Sequence, residues 1–430
     1  VARAHSLIAF VAAAILPIAA HAQSARYPPD ARDVDDEAEH HSVLWESALD
    51  PERAPYEELV RDGQRALQEQ SERGAMLAVD KLTDAIARIP SDPRAYGYRG
   101  AAYLQLHDWA HCADDLAISQ AHDAPATPMS VERDKRELEL GICQARAGHL
   151  ADAERTLVHA AERGPRGEAW MRLGEVRIAL GKLDEAIDAL DSALDTIEGR
   201  SATTHWLLAL AYDRAKRPTN AEEDGEKALA ADGQLGMIVN PVYPWLGVGE
   251  ADYMLGLAHS FSPQSGPLTA TPEYSLLYFR RYLTIAGESP WRRRAQEHVK
   301  ALSALDWPQA IARNPGSSAI LEIPVLRAAI APSIGAMRAC VAQQPTAAYE
   351  ISIIKVGPHS EPALDQVHYA QKKPSVDVQL KLDIGRDSKP ILAQTIETTR
   401  TCLQAIAARI AMPVAKEDTW YGVSFYVIAP

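Results

Sequence analysis

Small residues recur along the middle of the chain at Gly100, Gly141, Gly174, Ala209 and Gly256, separated by 41, 33, 35 and 47 positions. Around each lies the same frame: an apolar or aromatic residue before the small one, a turn, then a second amphipathic stretch. One copy reads Tyr96, Gly100, Tyr103, Leu106, Trp109 and Leu116. The next reads Leu140, Gly141, Leu150, Ala153, Leu157 and Ala160, and a third Trp170, Gly174, Gly181, Leu183, Ala186, Leu190 and Ala193. Leu208, Ala209, Tyr212, Ala221 and Ala228 repeat the frame more loosely. A period near 34 is that of a helix-turn-helix unit unable to bury its apolar face alone, so copies must stack. The small residue lets the two helices of a unit approach closely, and the larger ones fill the space between units.

This stretch resembles the tetratricopeptide repeat family, with the quoted residues on its small and large packing positions. A degenerate earlier copy fits Asp62 to Pro90 with Ala66 in the small position, and a last copy starts at Glu250, broken by the Ser262 to Pro272 loop. Five or six units over residues 55 to 305 predict a curved α-helical superhelix. The resemblance implies a concave groove that holds peptides, lined here by Gly97, Ala101, Leu104, Leu138, Ile142, Ala145, Met171, Glu175, Ile178, Trp206, Leu210 and Asp213. That set is mostly apolar and suits an extended apolar segment or a partner helix. A second expectation is that a flanking segment of the chain itself, such as the C-terminal domain, fills the groove. The frame places Tyr96, Tyr103, Trp109 and Trp170 on packing positions, His107 in a turn and His111 on a solvated face, against a metal site at His107, His111 and Cys112. Cys112 and Cys143 fall near the contact between neighbouring units, as a disulfide or as two buried thiols.

From Pro324 the period changes. An apolar helix, Pro324 to Gln343, leads into a strand-like run, Tyr349 to Val356. Val376, Val378, Leu380, Leu382 and Ile384 then alternate with polar residues, as a half-buried strand requires. Gly385 to Ser388 is turn chemistry, Ile391 to Ile396 is expected to pair back as a hairpin, a helix is expected over Thr398 to Ala411, and Tyr421 to Ile428 closes the domain. The expected fold is α+β, two helices on a small antiparallel sheet, over residues 324 to 430, with residues 306 to 323 as a linker. Arg338-Ala339-Cys340-Val341, Val378 to Ile384 with its Gly385-Arg386-Asp387 turn, Thr401-Cys402-Leu403 and Met412-Pro413 resemble the cysteine-bearing TonB-like C-terminal domain of myxobacterial envelope proteins. That resemblance implies a Cys340–Cys402 disulfide and partner docking by strand addition at an open sheet edge, unless the Gly357 to Lys373 loop covers that edge.

Residues 1 to 22 read as a cleavable secretory signal: Arg3, then an apolar run from Leu7 to Ala20 interrupted by Pro17, then Ala20-His21-Ala22. The apolar run is shorter than the ~20 residues of a spanning helix, and no later run reaches that length, so a soluble exported periplasmic protein is expected. Residues 23 to 54 form an acidic linker whose adjacent His40 and His41 point apart and lack further ligands. A net charge of −14, from 44 basic and 58 acidic residues, argues against nucleic acid as the main partner. Arg280, Arg281, Arg292, Arg293 and Arg294, with Lys300, form a basic run, either a face neutralising the acidic repeats or a docking patch for an anionic partner.

No GxSxG, HExxH, P-loop or strand-linked GxGxxG motif occurs, and an enzyme would need the Ser262 to Pro272 loop and the arginine run to frame a pocket. The expectation is a non-catalytic adaptor without cofactor or metal. It would bind envelope proteins or peptides through the repeat groove and the TonB-like module. The alternative is a periplasmic chaperone holding unfolded clients.

Overall fold

The structure, a computed structural model, describes residues 51–122, 131–163, 167–197, 199–261, 272–305, 311–313, 321–355, 376–383, 393–413 and 421–430. The signal-like segment, the acidic stretch with His40 and His41, residues 262–271 and 356–375, and the Gly385 to Ser388 turn lie outside the described residues.

Helices pair in sequence. α1 (Arg53–Gln68) packs on α2 (Glu72–Arg88), α3 (Pro93–Gln105) on α4 (Trp109–His122), and α5 (Val131–Arg146) on α6 (Leu150–Glu162). α7 (Gly167–Ala179) packs on α8 (Leu183–Leu194), and α9 (Ala202–Arg214) on α10 (Pro218–Ala231). A short α11 (Gly236–Val239) precedes α12 (Glu250–Ala258), which packs on α13 (Pro272–Ile285), and α14 (Arg292–Ser303) caps the stack. Side-chain caps set several starts: Asp92 accepts from the Arg94 N–H ahead of Pro93, and Ser71 and Ser201 accept from the N–H groups of Gly74 and Thr204.

The glycine period has a direct physical reading. A Cβ at Gly100 would lie 2.7 Å from Leu116 Cγ, at Gly141 2.6 Å from Leu157 Cγ, and at Gly174 2.5 Å from Leu190 Cγ. Each unit thus drives one leucine of its second helix against the bare backbone of its first. In the first unit Gly63, rather than Ala66, fills this role, since its Cβ would meet Leu82 at 2.6 Å. The loosest copy differs because Gly225 stands where a leucine is expected, and Phe261 occupies the space, 2.2 Å from a Cβ placed there.

The C-terminal domain holds α15 (Ile323–Cys340), β2 (Ala348–Lys355), β3 (Val376–Asp383), α16 (Ala393–Ala407) and β4 (Tyr421–Ile428), with β1 (Ile311–Arg313) before them. The antiparallel sheet has the order β1-β4-β2-β3, with Ile351 opposite Phe425 and Leu380. Leu326, Ile330, Ile334 and Met337 of α15, with Leu403 and Ala407 of α16, cover the face bearing Tyr349, Ile351, Ile353, Val423 and Phe425. Two sequence expectations are corrected here. Of the run Ile391 to Ile396, residues 393–396 are not a hairpin strand but the first turn of α16, and residues 391 and 392 lie outside the described residues. The fourth strand comes instead from residues 311–313, within the stretch read as a linker, and it pairs along part of β4.

The two regions touch. Arg280 donates to the Ala429 carbonyl at 2.6 Å and Arg281 to the Thr346 carbonyl at 3.0 Å, Tyr274 meets Tyr426 edge-on, and Leu276 and Leu277 pack with Ala348 and Ile428. Among the described residues, no helix is long and apolar enough to cross a membrane.

Candidate functional site: a concave groove filled from within

The connection between α10 and α12, Asp232 to Gly249, is far longer than the Leu106–Asp108 turn. Its second half, Asn240-Pro241-Val242-Tyr243-Pro244-Trp245-Leu246-Gly247-Val248-Gly249, lies against the first helices of the preceding units, α3, α5 and α7. Tyr243 meets Trp109 edge-on at 6.2 Å between ring centroids, and the Arg172 guanidinium sits 4.8 Å from its ring centre. Burial raises the Tyr243 phenol above its ordinary range. Tyr243 and Leu246 pack on the apolar cluster that contains Leu104, Leu138 and Ile142, whereas Trp245 packs on the cluster of Met171, Ile178, Trp206 and Leu210. The Trp245 indole N–H donates to the Ile238 carbonyl at 3.0 Å, which braces the turn.

One polar group anchors the segment. The Leu246 N–H donates to Glu175 Oε1 at 3.1 Å. Glu175 also accepts from Arg146 at 2.9 Å on both oxygens and from Arg172 at 3.3 Å. The side chains of Glu175 and Arg146 are 4% exposed and that of Arg172 7%, so the pairs sit at low dielectric, where charge-assisted bonds are strong and an unpaired partner is costly.

All nine central groove candidates, Leu104, Leu138, Ile142, Met171, Glu175, Ile178, Trp206, Leu210 and Asp213, are buried. The insert accounts for part of that cover: Tyr243 and Leu246 lie on the cluster of Leu104, Leu138 and Ile142, and Trp245 on that of Met171, Ile178, Trp206 and Leu210; it is a segment between α10 and α12, not the flanking segment or C-terminal domain expected as a filler. Trp206 donates to Asp232 at 3.3 Å, at the root of the insert. Asp213 lies under the capping helix. It accepts from Tyr253 and Arg294, each at 2.6 Å, and pairs with His298 at 2.9 Å. Burial works to raise its carboxyl, but the bonds from His298, Arg294 and Tyr253 prevail and hold it at about 2. His298 stacks on Phe279 at 4.4 Å.

The arginine run does not form one patch. Arg280 and Arg281 reach the C-terminal domain, Arg292 donates to the Leu283 and Gly287 carbonyls at the end of α13, and Arg294 is spent on Asp213. Arg293 is exposed, 3.7 Å from Glu297. The loop that an enzymatic pocket would need lies outside the described residues. Both cysteine pairs are bonded: Cys112 of α4 to Cys143 of α5, and Cys340 of α15 to Cys402 of α16, each with Cα atoms 5.9 Å apart. His111 pairs with Asp108, and among the described residues no three His, Cys, Asp or Glu side chains gather as a metal site.

Tyr243, Trp245, Leu246, Arg146 and Arg172 were not singled out by sequence. Trp109, read as core, is half-buried and edges the insert. The available signal was the 47-residue spacing to Gly256, which exceeds the period by the length of a peptide, together with the alternation of aromatics and prolines inside it.

The tetratricopeptide repeat family pattern matches residues 165–234, which span α7 to α10. No curated protein matches the sequence. Among solved structures, YrrB, described as a TPR protein with an unusual peptide-binding site, is 18% identical over 39% of this chain and 83% of its own, with a TM-score of 0.34. MamA from Desulfovibrio magneticus RS-1 is 16% identical over 42% and 96%, at 0.37, and MamA of MSR-1 is 22% identical over 43% and 98%, at 0.36. Scores of this size add nothing to the geometry above. The chain carries tetratricopeptide repeats, matched directly over residues 165–234, a repeat that supports a protein-interaction scaffold.

Proposed function

We propose that this chain is a non-catalytic adaptor of the cell envelope, exported by its N-terminal segment, which takes a protein partner in the repeat groove and a second partner on a TonB-like C-terminal module. The observation that carries the reading is the groove's occupant. The turned segment Asn240–Gly249 lies across side chains of three units, held by one backbone N–H and a set of aromatic contacts, so this face of the repeats can hold a peptide. Four cysteines paired as two disulfides suit an oxidising compartment and support export. The docked C-terminal domain supports a fixed spacing between the two binding ends, since Arg280, Arg281 and the Leu276–Ile428 contact join them. The test is affinity capture from solubilised envelope with the intact chain. Recovery of one or two proteins in fixed ratio supports the adaptor. Recovery of a broad set of unfolded outer-membrane proteins would replace it with the chaperone.

A further inference from the structure

The segment Asn240–Gly249 behaves as a ligand that happens to be attached. It is a run of bends and turns, with Gly247 and Gly249 at positive φ; Pro241, Tyr243, Trp245 and Leu246 are half-buried, and Val242, Pro244 and Val248 are exposed. Val242 and Val248 are 74% and 69% exposed, so the outer side of the segment is apolar and uncovered, unlike the outer side of an ordinary surface loop. The polar hold on the groove is thin, one N–H to Glu175 and one ring under Arg172. The Nε–H groups of Arg146 and Arg172 are buried and find no acceptor among the described residues. Buried donors without acceptors are costly, so the polar cluster around Glu175 is not fully satisfied with the insert in place.

We propose that Asn240–Gly249 is a resident pseudo-ligand, displaced by a segment of a protein partner that carries aromatic side chains flanking a proline, as Tyr243-Pro244-Trp245 does here, and offers a backbone N–H to Glu175. The proposal rests on the reading of the groove as a protein-binding site and names the chemistry of its partner. Displacement is intramolecular competition. A segment tethered at both ends has an effective concentration on the order of 1 mM. A free peptide that binds the vacated groove with a Kd of about 10 μM therefore binds the intact chain about 100-fold more weakly.

The probe is a fluorescein-labelled synthetic peptide with the sequence of residues 240 to 249, measured by anisotropy against the intact chain and against full-length chain carrying Tyr243→Ser, Trp245→Ser and Leu246→Ser. The expected result is binding to the triple variant, about 100-fold weaker binding to the intact chain, no binding of a scrambled peptide, and weakened binding when Glu175→Gln is added to the variant. Equal binding to both chains, or equal binding of the scrambled peptide, overturns the proposal. Should the triple variant not fold, the intact chain decides. Unlabelled peptide in large excess must speed hydrogen exchange at residues 240 to 249 while the helices of α7 and α9 stay protected, and exchange unchanged at every peptide concentration also overturns it. If the peptide fails in both formats while the intact chain still captures a fixed partner, the pseudo-ligand is wrong and the adaptor stands. If capture fails as well, the adaptor reading falls with it.

Discussion

Substituting Glu175→Gln removes one negative charge from a site where two cations depend on it. The glutamine keeps a carbonyl oxygen for one of Arg146, Arg172 or the Leu246 N–H, but two bonds to Arg146 at 2.9 Å, one to Arg172 at 3.3 Å and one to Leu246 at 3.1 Å cannot all survive on it. Removing one partner of a buried ion pair costs about 3–5 kcal/mol, and the retained acceptor puts the expected loss near the low end, about 3 kcal/mol. For a repeat array of this size, that lowers the thermal midpoint by roughly 6–12 °C. The assay is urea denaturation of the full chain followed by circular dichroism, with the double variant Arg146→Met/Glu175→Met alongside. Because the Arg146 pair bears its own desolvation cost, the double variant should recover part of the loss but not all of it, since Arg172 is left with Glu168 alone and the Leu246 N–H loses its acceptor. A single variant within about 0.5 kcal/mol of the parent, or a double variant worse than the single, would refute the claim that this carboxylate organises the groove.

Three further outcomes follow from the geometry. Asp213→Asn should loosen the capping helix by about 2 kcal/mol at neutral pH, because a carboxyl held at about 2 against an ordinary 3.8 gives stability that is complete above pH 4 and lost as pH falls through 2; the parent's urea midpoint should fall over that window and the variant's much less. Cys340→Ser with Cys402→Ser removes a link spanning 62 residues and should cost about 4 kcal/mol by the chain-entropy relation, and peptide mapping without reductant should find both pairs linked. Arg281→Met should raise hydrogen exchange at residues 346 to 349 and 426 to 430 and leave the first five units unchanged, since its guanidinium holds the Thr346 carbonyl beside the Ala348–Ile428 contact.

The helical units were legible because their signal is local and steric. A glycine facing a leucine sixteen residues on, as in Gly100 and Leu116, Gly141 and Leu157, or Gly174 and Leu190, leaves a mark that survives everything else on the helix surface. Strands β2 and β4 were legible for a similar reason, since Tyr421, Val423, Phe425 and Val427 alternate on one face. What was missed depended on distant partners. Strand β1 has three residues, too few for a period, and exists through its pairing with β4, more than a hundred positions away. Asp213 looked like a groove residue from its helix position, but Arg294 and His298, 81 and 85 positions on, claim it. The Ile391 to Ile396 run has strand-forming residues and yet its residues 393–396 start a helix, because Leu403 and Ala407 further along must reach the face of the sheet. The insert that packs beside Leu104, Leu138 and Ile142 carries no repeat signal. A consequence bears on mutagenesis. Trp206→Ala with Met171→Ala would strip a buried core at about 3–5 kcal/mol for the tryptophan alone, so lost binding in that variant would report lost folding.

The claim on which the account depends is that the chain occupies its own groove, and the Leu246 amide reports it directly. Hydrogen exchange of the intact chain at neutral pH should find that N–H slowed ~100-fold against an unstructured peptide, and the helices around Glu175 slowed further. Exchange of the Leu246 amide at the unstructured rate, with α7 and α9 still protected, would mean an open groove and would contradict the account.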